Sequence, residues 1–156
     1  MIFGIDPGPK VSGWVLLQGS TVADSGVADN HDLLRWVQAG QGADLLAIEM
    51  IASMGMAVGQ STFETVRWIG RFQQAWRDPE AVRFVKRHEV KQYLCGNQLA
   101  KDANVRQALL DRFAATGGGK TPQIGIKARP GPLYGVSSHA WSALAVAVCA
   151  ARGVPA

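Results

Sequence analysis

The order of apolar segments along the chain predicts an α/β fold with a five-stranded mixed sheet flanked by helices. Three strand-like segments come first, and they are followed by helix, strand, helix, strand, helix and helix. The apolar runs at 2–5 and 45–48 do not alternate with polar residues, which is typical of strands covered on both faces. With 156 residues, 47% of them hydrophobic, the chain suits a single domain over residues 1–156.

Composition and charge argue against a membrane or exported protein and favour one that binds a polyanion. No apolar stretch approaches the roughly 20 residues of a membrane span, and Asp6 interrupts the first apolar run before a signal peptide could form. We therefore expect a soluble cytoplasmic protein with no membrane contact. The formal net charge is +4, and the basic residues cluster, so a nucleic-acid partner is favoured over a random surface distribution.

The first half of the chain predicts a meander, a helix and a central strand. Segments 1–6, 12–18 and 21–27 are expected to form three antiparallel strands joined by turns. Asn30 is the predicted cap of the first helix, and 44–49 is the fourth strand. A glycine-containing loop then precedes the strongest helix, in which apolar residues recur at helical spacing. These are Phe63, Val66, Ile69, Phe72 and Trp76.

The second half predicts a fifth strand at 81–86, a helix at about 88–95 and another at about 102–115. Glycines at 117–119 and prolines at 130 and 132 bracket a long basic loop, which we expect to be functional or disordered. Ser138 is the predicted cap of a final Ala/Val/Leu helix that runs to about residue 152.

Two acidic residues carry the strongest functional signal. Asp6 and Glu49 each end an apolar strand, where a carboxylate is costly to desolvate unless a cation lies beside it. A divalent metal is the obvious candidate. Asp6 alone could simply cap the turn at Pro7 and Gly8, but that interpretation does not account for Glu49.

This order of elements, with acids ending the first and fourth strands, is the ribonuclease H-like plan. The sequence resembles the RuvC-type Holliday-junction resolvases, in particular the shorter versions carried by phages and prophages. The resemblance spans nearly the whole chain, through GIDPG at 4–8 with GW at 13–14, AIE at 47–49, EVK at 89–91, AKD at 100–102 and HAWSAL at 139–144. The first motif alone is weak, since Asp-x-Gly also opens actin-like kinases.

The resemblance implies a nuclease of DNA recombination and repair that resolves four-way junctions by paired nicks. Two Mg²⁺ ions per active site, for which Mn²⁺ can substitute, would be held by acids. Asp6 would bridge the ions and Glu49 would bind one of them. Oxygen ligands suit these metals. The sequence has no Cys/His cluster of the kind that would indicate zinc.

The start of the last helix is where the sequence departs from the resemblance. Family members carry an acid or a His there, with an acid three residues later, and these positions are His139 and Ser142. His139 is expected to bind a metal or orient the attacking water, although an ordinary buried histidine is an alternative. A serine hydroxyl is a poor metal ligand. Asp102 could compensate or cap a helix, and Lys101 could reach the scissile phosphate or be a solvated charge.

The loop after Glu49 is a second departure. Relatives place an aromatic wedge there that can stack into an opened junction, whereas this chain has Ala52. Met54 and Met56 could wedge between bases or pack under the loop. Broad specificity for branched DNA is therefore expected.

We further expect a homodimer formed through the helix at 63–76, because a two-fold dimer would present two sites to a four-way junction. Trp68 and Trp76 add aromatic surface that we expect one small domain to leave partly uncovered, although core packing alone is an equal alternative. Phosphate contacts are assigned to a basic set comprising Lys86, Arg87, Lys91, Lys120, Lys127 and Arg129.

Two rival functions remain open at this point. The first is a junction-binding protein with weak catalysis, suggested by Ser142. The second is an actin-like phosphotransferase, which the short chain argues against, because such proteins need a second domain to close over the nucleotide.

Overall fold

A five-stranded mixed sheet forms the centre of the computed structural model, which describes residues 1–154. Its strand order is β3-β2-β1-β4-β5. The first three strands are antiparallel, whereas β4 lies parallel to β1 and β5 lies parallel to β4. The strands are β1 (Ile2–Asp6), β2 (Val11–Gln18), β3 (Thr21–Asp29), β4 (Leu45–Met50) and β5 (Arg83–Lys86). The predicted fold class is confirmed.

Five helices cover the two faces of this sheet. They are α1 (Asn30–Ala39), α2 (Gln60–Ala75), α3 (Arg87–Cys95), α4 (Asp102–Arg112) and α5 (Ala140–Ala150), and a 3₁₀ turn spans Pro79–Ala81. Within residues 1–154, no helix combines the length and the apolar character needed to cross a membrane.

The side chains of β1 and β4 alternate between two hydrophobic cores. Phe3 and Ile48 point into the core shared with α1 and α2, whereas Ile2 and Ala47 point into the core shared with α3, α4 and α5. Both central strands are therefore buried on both sides, which explains their unbroken apolar runs.

Glycine allows α5 to lie directly on β1. A Cβ at Gly4 would stand 2.7 Å from the carbonyl oxygen of Ala143, closer than real Cβ atoms approach. The first turn of α5 is thereby held over the carboxyl end of β1.

Two local predictions are wrong. Asn30 does not cap α1, because the side chain of Asp29 accepts the hydrogen bond from the backbone N–H of His31 instead. Ser138 does not cap α5, since it adopts φ +51° and His139 takes the cap position without a side-chain hydrogen bond. Of the two alternatives for the basic loop, functional or disordered, the second is excluded, because the loop folds into a small hairpin of β6 (Gly125–Ile126) and β7 (Arg129–Pro130).

The predicted face of α2 is only partly correct. Trp68, Ile69 and Phe72 are buried, and so is Trp76 just beyond the helix. Phe63 and Val66 instead remain 58% and 44% exposed. The two tryptophans are thus covered within one chain, and the exposed apolar surface of α2 lies near its amino end.

Candidate active site

The sheet brings two acidic residues together at one edge. Because β1 and β4 are parallel neighbours, their carboxyl ends lie side by side, and Ile5 pairs with Ile48 in register. Asp6 and Glu49 each follow directly on that pair. The two carboxylates of the sequence prediction therefore face each other.

The two carboxyl groups have too little positive charge around them to keep both ionised, so the pKa of each is raised. Burial raises the pKa of Asp6, and the neighbouring His139 partly opposes that rise. Burial and then the charge of Asp6 raise the pKa of Glu49 to about 7. A cation placed between the two carboxyl groups would stabilise both in their ionised forms.

His139 lies beside Asp6. Its Nδ1 is 3.2 Å from Oδ2 of Asp6, and its side chain is 65% exposed whereas that of Asp6 is 18% exposed. The ring is thus not the buried histidine of the alternative interpretation. With Nδ1 held by Asp6, the ring retains Nε2 for water or substrate.

Gly13 makes this contact possible. It pairs with Asp6 across the β1–β2 ladder, and a Cβ on it would stand 2.3 Å from the carbonyl oxygen of His139. Only a residue without a side chain leaves room for the start of α5 at this place. Sequence reasoning noted Gly13 within a motif but assigned it no role.

A buried polar network holds the turn that follows Asp6. The Ser12 hydroxyl donates to Oδ1 of Asn30 at 2.6 Å, and Nδ2 of Asn30 donates to the carbonyl of Gly8 at 2.8 Å. The N–H of Gly8 in turn donates to the Ser12 hydroxyl at 3.1 Å. Asn30 is fully buried. This network fixes one wall of an open cleft of about 390 Å³ that Asp6 and His139 also line.

The Ser142 side of the site differs from the expected arrangement. Ser142 lies one turn beyond His139 and lines a cavity of about 420 Å³ with Arg87 and Asp102. Asp102 forms an ion pair with Arg87, which holds the pKa of that carboxyl below its usual range. The helix cap of α4 is Lys101 rather than Asp102. Asp102 is therefore engaged by a guanidinium, and its charge is one of the lesser causes that raise the pKa of Glu49.

The donor set fits one hydrated divalent ion better than two. Among residues 1–154, no three or more His, Cys, Asp or Glu side chains form a group that could hold a metal ion. The paired carboxylates of Asp6 and Glu49 nevertheless suit Mg²⁺, which usually keeps several waters and takes one or two protein carboxylates. Lys101 is exposed and has no ion pair with either acid.

The predicted phosphate-binding residues differ in how far their side chains are exposed to solvent. Lys86 is exposed at the end of β5, and the hairpin segment carries an exposed set comprising Lys120, Lys127 and Arg129. Lys91 is half-buried on α3, close enough to Asp102 to lower the pKa of that carboxyl. Arg87 is the exception, since its partly buried guanidinium pairs with Asp102 and its charge acts on Asp6 and Glu49.

The loop after Glu49 presents apolar side chains to solvent. Met54 and Met56 are 76% and 73% exposed, so the alternative in which they pack beneath the loop is wrong. Val58, Phe63 and Val66 are exposed as well, and we call these five apolar side chains of the loop and the amino end of α2 the loop–α2 surface.

Comparison with solved structures assigns the fold. The structure of Thermus thermophilus RuvC superposes with a TM-score of 0.63 at 19% identity, covering 95% of this chain and 91% of that one. The structure of T. thermophilus RuvC in complex with Holliday junction substrate gives a TM-score of 0.66, again at 19% identity, with 95% and 90% covered. No protein-family model and no curated protein matches the sequence. The chain has the ribonuclease H-like fold of RuvC.

Proposed function

We propose that this protein is a metal-dependent endodeoxyribonuclease that resolves four-way DNA junctions or related branched DNA. The observation that carries the proposal is the meeting of Asp6, Glu49 and His139 at one sheet edge, in the fold of a protein that has been solved with a Holliday junction. Carboxylates beside an open cleft suit the binding of Mg²⁺, or of Mn²⁺ in its place.

Each residue of the site has a distinct role in this proposal. Asp6 and Glu49 would hold the metal, which when bound supplies the positive charge that phosphodiester hydrolysis requires. His139, held at Nδ1 by Asp6, would orient the attacking water or accept its proton. The Ser12–Asn30 network would keep the turn after Asp6 in place while substrate enters the cleft.

The resemblance implied two ions in each site. The described residues supply a carboxylate pair for one of them, and Ser142 and Asp102 do not add a second pair.

DNA contact is proposed for the exposed basic residues and for the loop–α2 surface. Lys86, Lys120, Lys127 and Arg129 would contact phosphates, giving affinity that falls with salt. Met54 and Met56, exposed on the loop that follows Glu49, would touch unstacked bases of a branch point. We also propose a homodimer. Its contact surface would include Phe63 and Val66, which are exposed, because Trp68 and Trp76 are buried within one chain.

The proposal is tested with a labelled four-way junction and a linear duplex of matched sequence, each incubated with Mg²⁺ or Mn²⁺. Cleavage confined to the junction and abolished by Asp6→Asn is expected. Asp78→Asn is the matched control, because Asp78 lies at the opposite end of the sheet, before β5. Equal cleavage of both DNAs would contradict selectivity for branches.

A junction-binding protein with weak catalysis is the second candidate. Ser142 favours it, since an acid is expected at that position and the hydroxyl is a poor metal ligand. Tight junction binding in chelator, with no cleavage in either metal, is the result that would establish it.

A further inference from the structure

Arg87 places a positive charge on the cavity that Ser142 also lines, where the resemblance expects an acid. It is the first residue of α3 and follows β5 directly, and Val85 of that strand pairs with Glu49. Its side chain is only 30% exposed. The start of α3 therefore lies at the end of the sheet where Asp6 and Glu49 meet, and the charge of Arg87 partly opposes the rise in the pKa of both carboxyls.

The guanidinium is only partly satisfied within the protein. Nη2 pairs with the carboxylate of Asp102, whereas Nη1 is buried and has no hydrogen-bond partner among the described residues. Buried donors are rarely left unpaired, because each costs the desolvation of an N–H group. An arginine cannot relieve that cost by losing its proton. Asp102 therefore neutralises and hydrogen-bonds only part of the guanidinium.

A negatively charged group could approach the guanidinium through the cavity that Ser142 lines. Arg87, Asp102 and Ser142 line one cavity of about 420 Å³. A second divalent ion at this place would meet a fixed positive charge and a neutral hydroxyl, where the resemblance expects an acid. The residues present do not fit a second metal ion here, but they do fit the anionic oxygens of a phosphate group.

We propose that the guanidinium of Arg87 supplies the positive charge on the Ser142 side of the active site in place of a second metal ion, and that it stabilises the negative charge of the scissile phosphate there. The inference rests on the proposed nuclease function and deepens it. Asp102 is then a positioning residue, which holds the guanidinium through Nη2. Arg87 becomes a catalytic residue instead of one more phosphate contact on the surface.

The chemistry balances without any change in Arg87. The oxygen of water bonds to phosphorus, and the bond from phosphorus to the leaving oxygen breaks. One proton of water ends on the leaving oxygen, and the other passes to solvent as the new phosphate monoester ionises. Arg87 keeps its protons and stabilises the negative charge of the phosphate oxygens, as arginine does in other phosphoryl-transfer sites.

Counting metal ions tests the inference without relying on activity. Mn²⁺ bound per protomer is measured by calorimetry and electron paramagnetic resonance, with the protein alone and with a four-way junction that carries non-cleavable linkages. The wild type is expected to bind one Mn²⁺. The double variant R87Q/S142D, which removes the guanidinium and supplies an acid, is expected to bind two. Two ions in the wild type, or none, would overturn the inference.

Single-turnover cleavage gives a second readout. R87Q is expected to lose about 100-fold or more in rate, with less than threefold change in junction affinity measured in Ca²⁺. R106Q is the control, because Arg106 lines the same cavity but stacks on Trp141. An R87Q rate equal to that of R106Q would overturn the inference. If the wild type cuts no junction at all, the proposed function fails, whereas the metal count still decides the role of Arg87.

Discussion

Replacing Glu49 with Gln should stabilise the metal-free protein at alkaline pH and leave its stability in acid nearly unchanged. Burial and the neighbouring charge of Asp6 raise the pKa of Glu49 from its ordinary 4.5 to about 7 in the folded state. Between these two values the folded protein holds a proton that the unfolded chain has lost. The free energy of unfolding therefore falls as pH rises through this window and levels off above pH 7.

The size of the effect follows from the two pKa values. A difference from 4.5 to about 7 corresponds to about 3 kcal/mol at 1.36 kcal/mol per pKa unit. Glutamine removes the buried charge, so Glu49→Gln should exceed the wild type at pH 8 by about 3 kcal/mol more than it does at pH 4.

Urea unfolding at pH 4 and pH 8 in the presence of chelator measures this difference. Glu80→Gln, an exposed residue at the opposite end of the sheet, measures the effect of removing one surface carboxylate. The same gain in both variants, or a Glu49→Gln gain that does not change with pH, would refute the reasoning. Added Mg²⁺ should reverse the order at pH 8, because only the wild type keeps both carboxylates for the metal.

Three further substitutions test how the site is positioned and how it contacts DNA. Gly13→Ala should lower the free energy of unfolding by about 2 kcal/mol and remove most of the cleavage activity, because the added Cβ displaces His139. Gly70→Ala is the control: it lies in open space on α2 and should raise the free energy of unfolding by about 0.5–1 kcal/mol. Thermal unfolding and junction cleavage measure both variants, and a Gly13→Ala variant with unchanged stability would contradict the close approach of α5. Asn30→Leu removes the partners of the Gly8 carbonyl and of the Ser12 O–H donor, so denaturant unfolding should show a loss of about 2–3 kcal/mol. A loss below about 0.5 kcal/mol would show that the network does not support the turn. Neutralising Lys120 and Lys127 together should flatten the salt dependence of junction affinity by roughly two in slope, and an unchanged slope would remove the hairpin from the interface.

The acidic pair could be predicted because its signals are local. Asp6 and Glu49 each stand at the end of an unbroken apolar run, and a parallel arrangement of the two strands is enough to bring them together. His139 was predicted through the resemblance alone, and its contact with Asp6 depends on a residue 133 positions away in sequence.

The supporting interactions could not be predicted because they are tertiary. The Ser12–Asn30 contact joins β2 to α1 across 18 residues, and Asn30 looked like a cap because caps use the same residue type. Arg87 looked like a surface charge, since its sequence neighbours are basic and nothing in them indicates a buried guanidinium. Periodicity placed Phe63 and Ile69 on one helix face, but it does not tell where the covering elements end.

Cleavage of a labelled four-way junction in Mg²⁺ by the wild type and by Asp6→Asn tests the central claim most directly. Paired nicks near the branch, absent from the linear duplex and lost in Asp6→Asn but retained in Asp78→Asn, are the predicted result. Junction binding with no cleavage by the wild type in Mg²⁺ or Mn²⁺ would contradict the account, and would make the protein a binder of branched DNA.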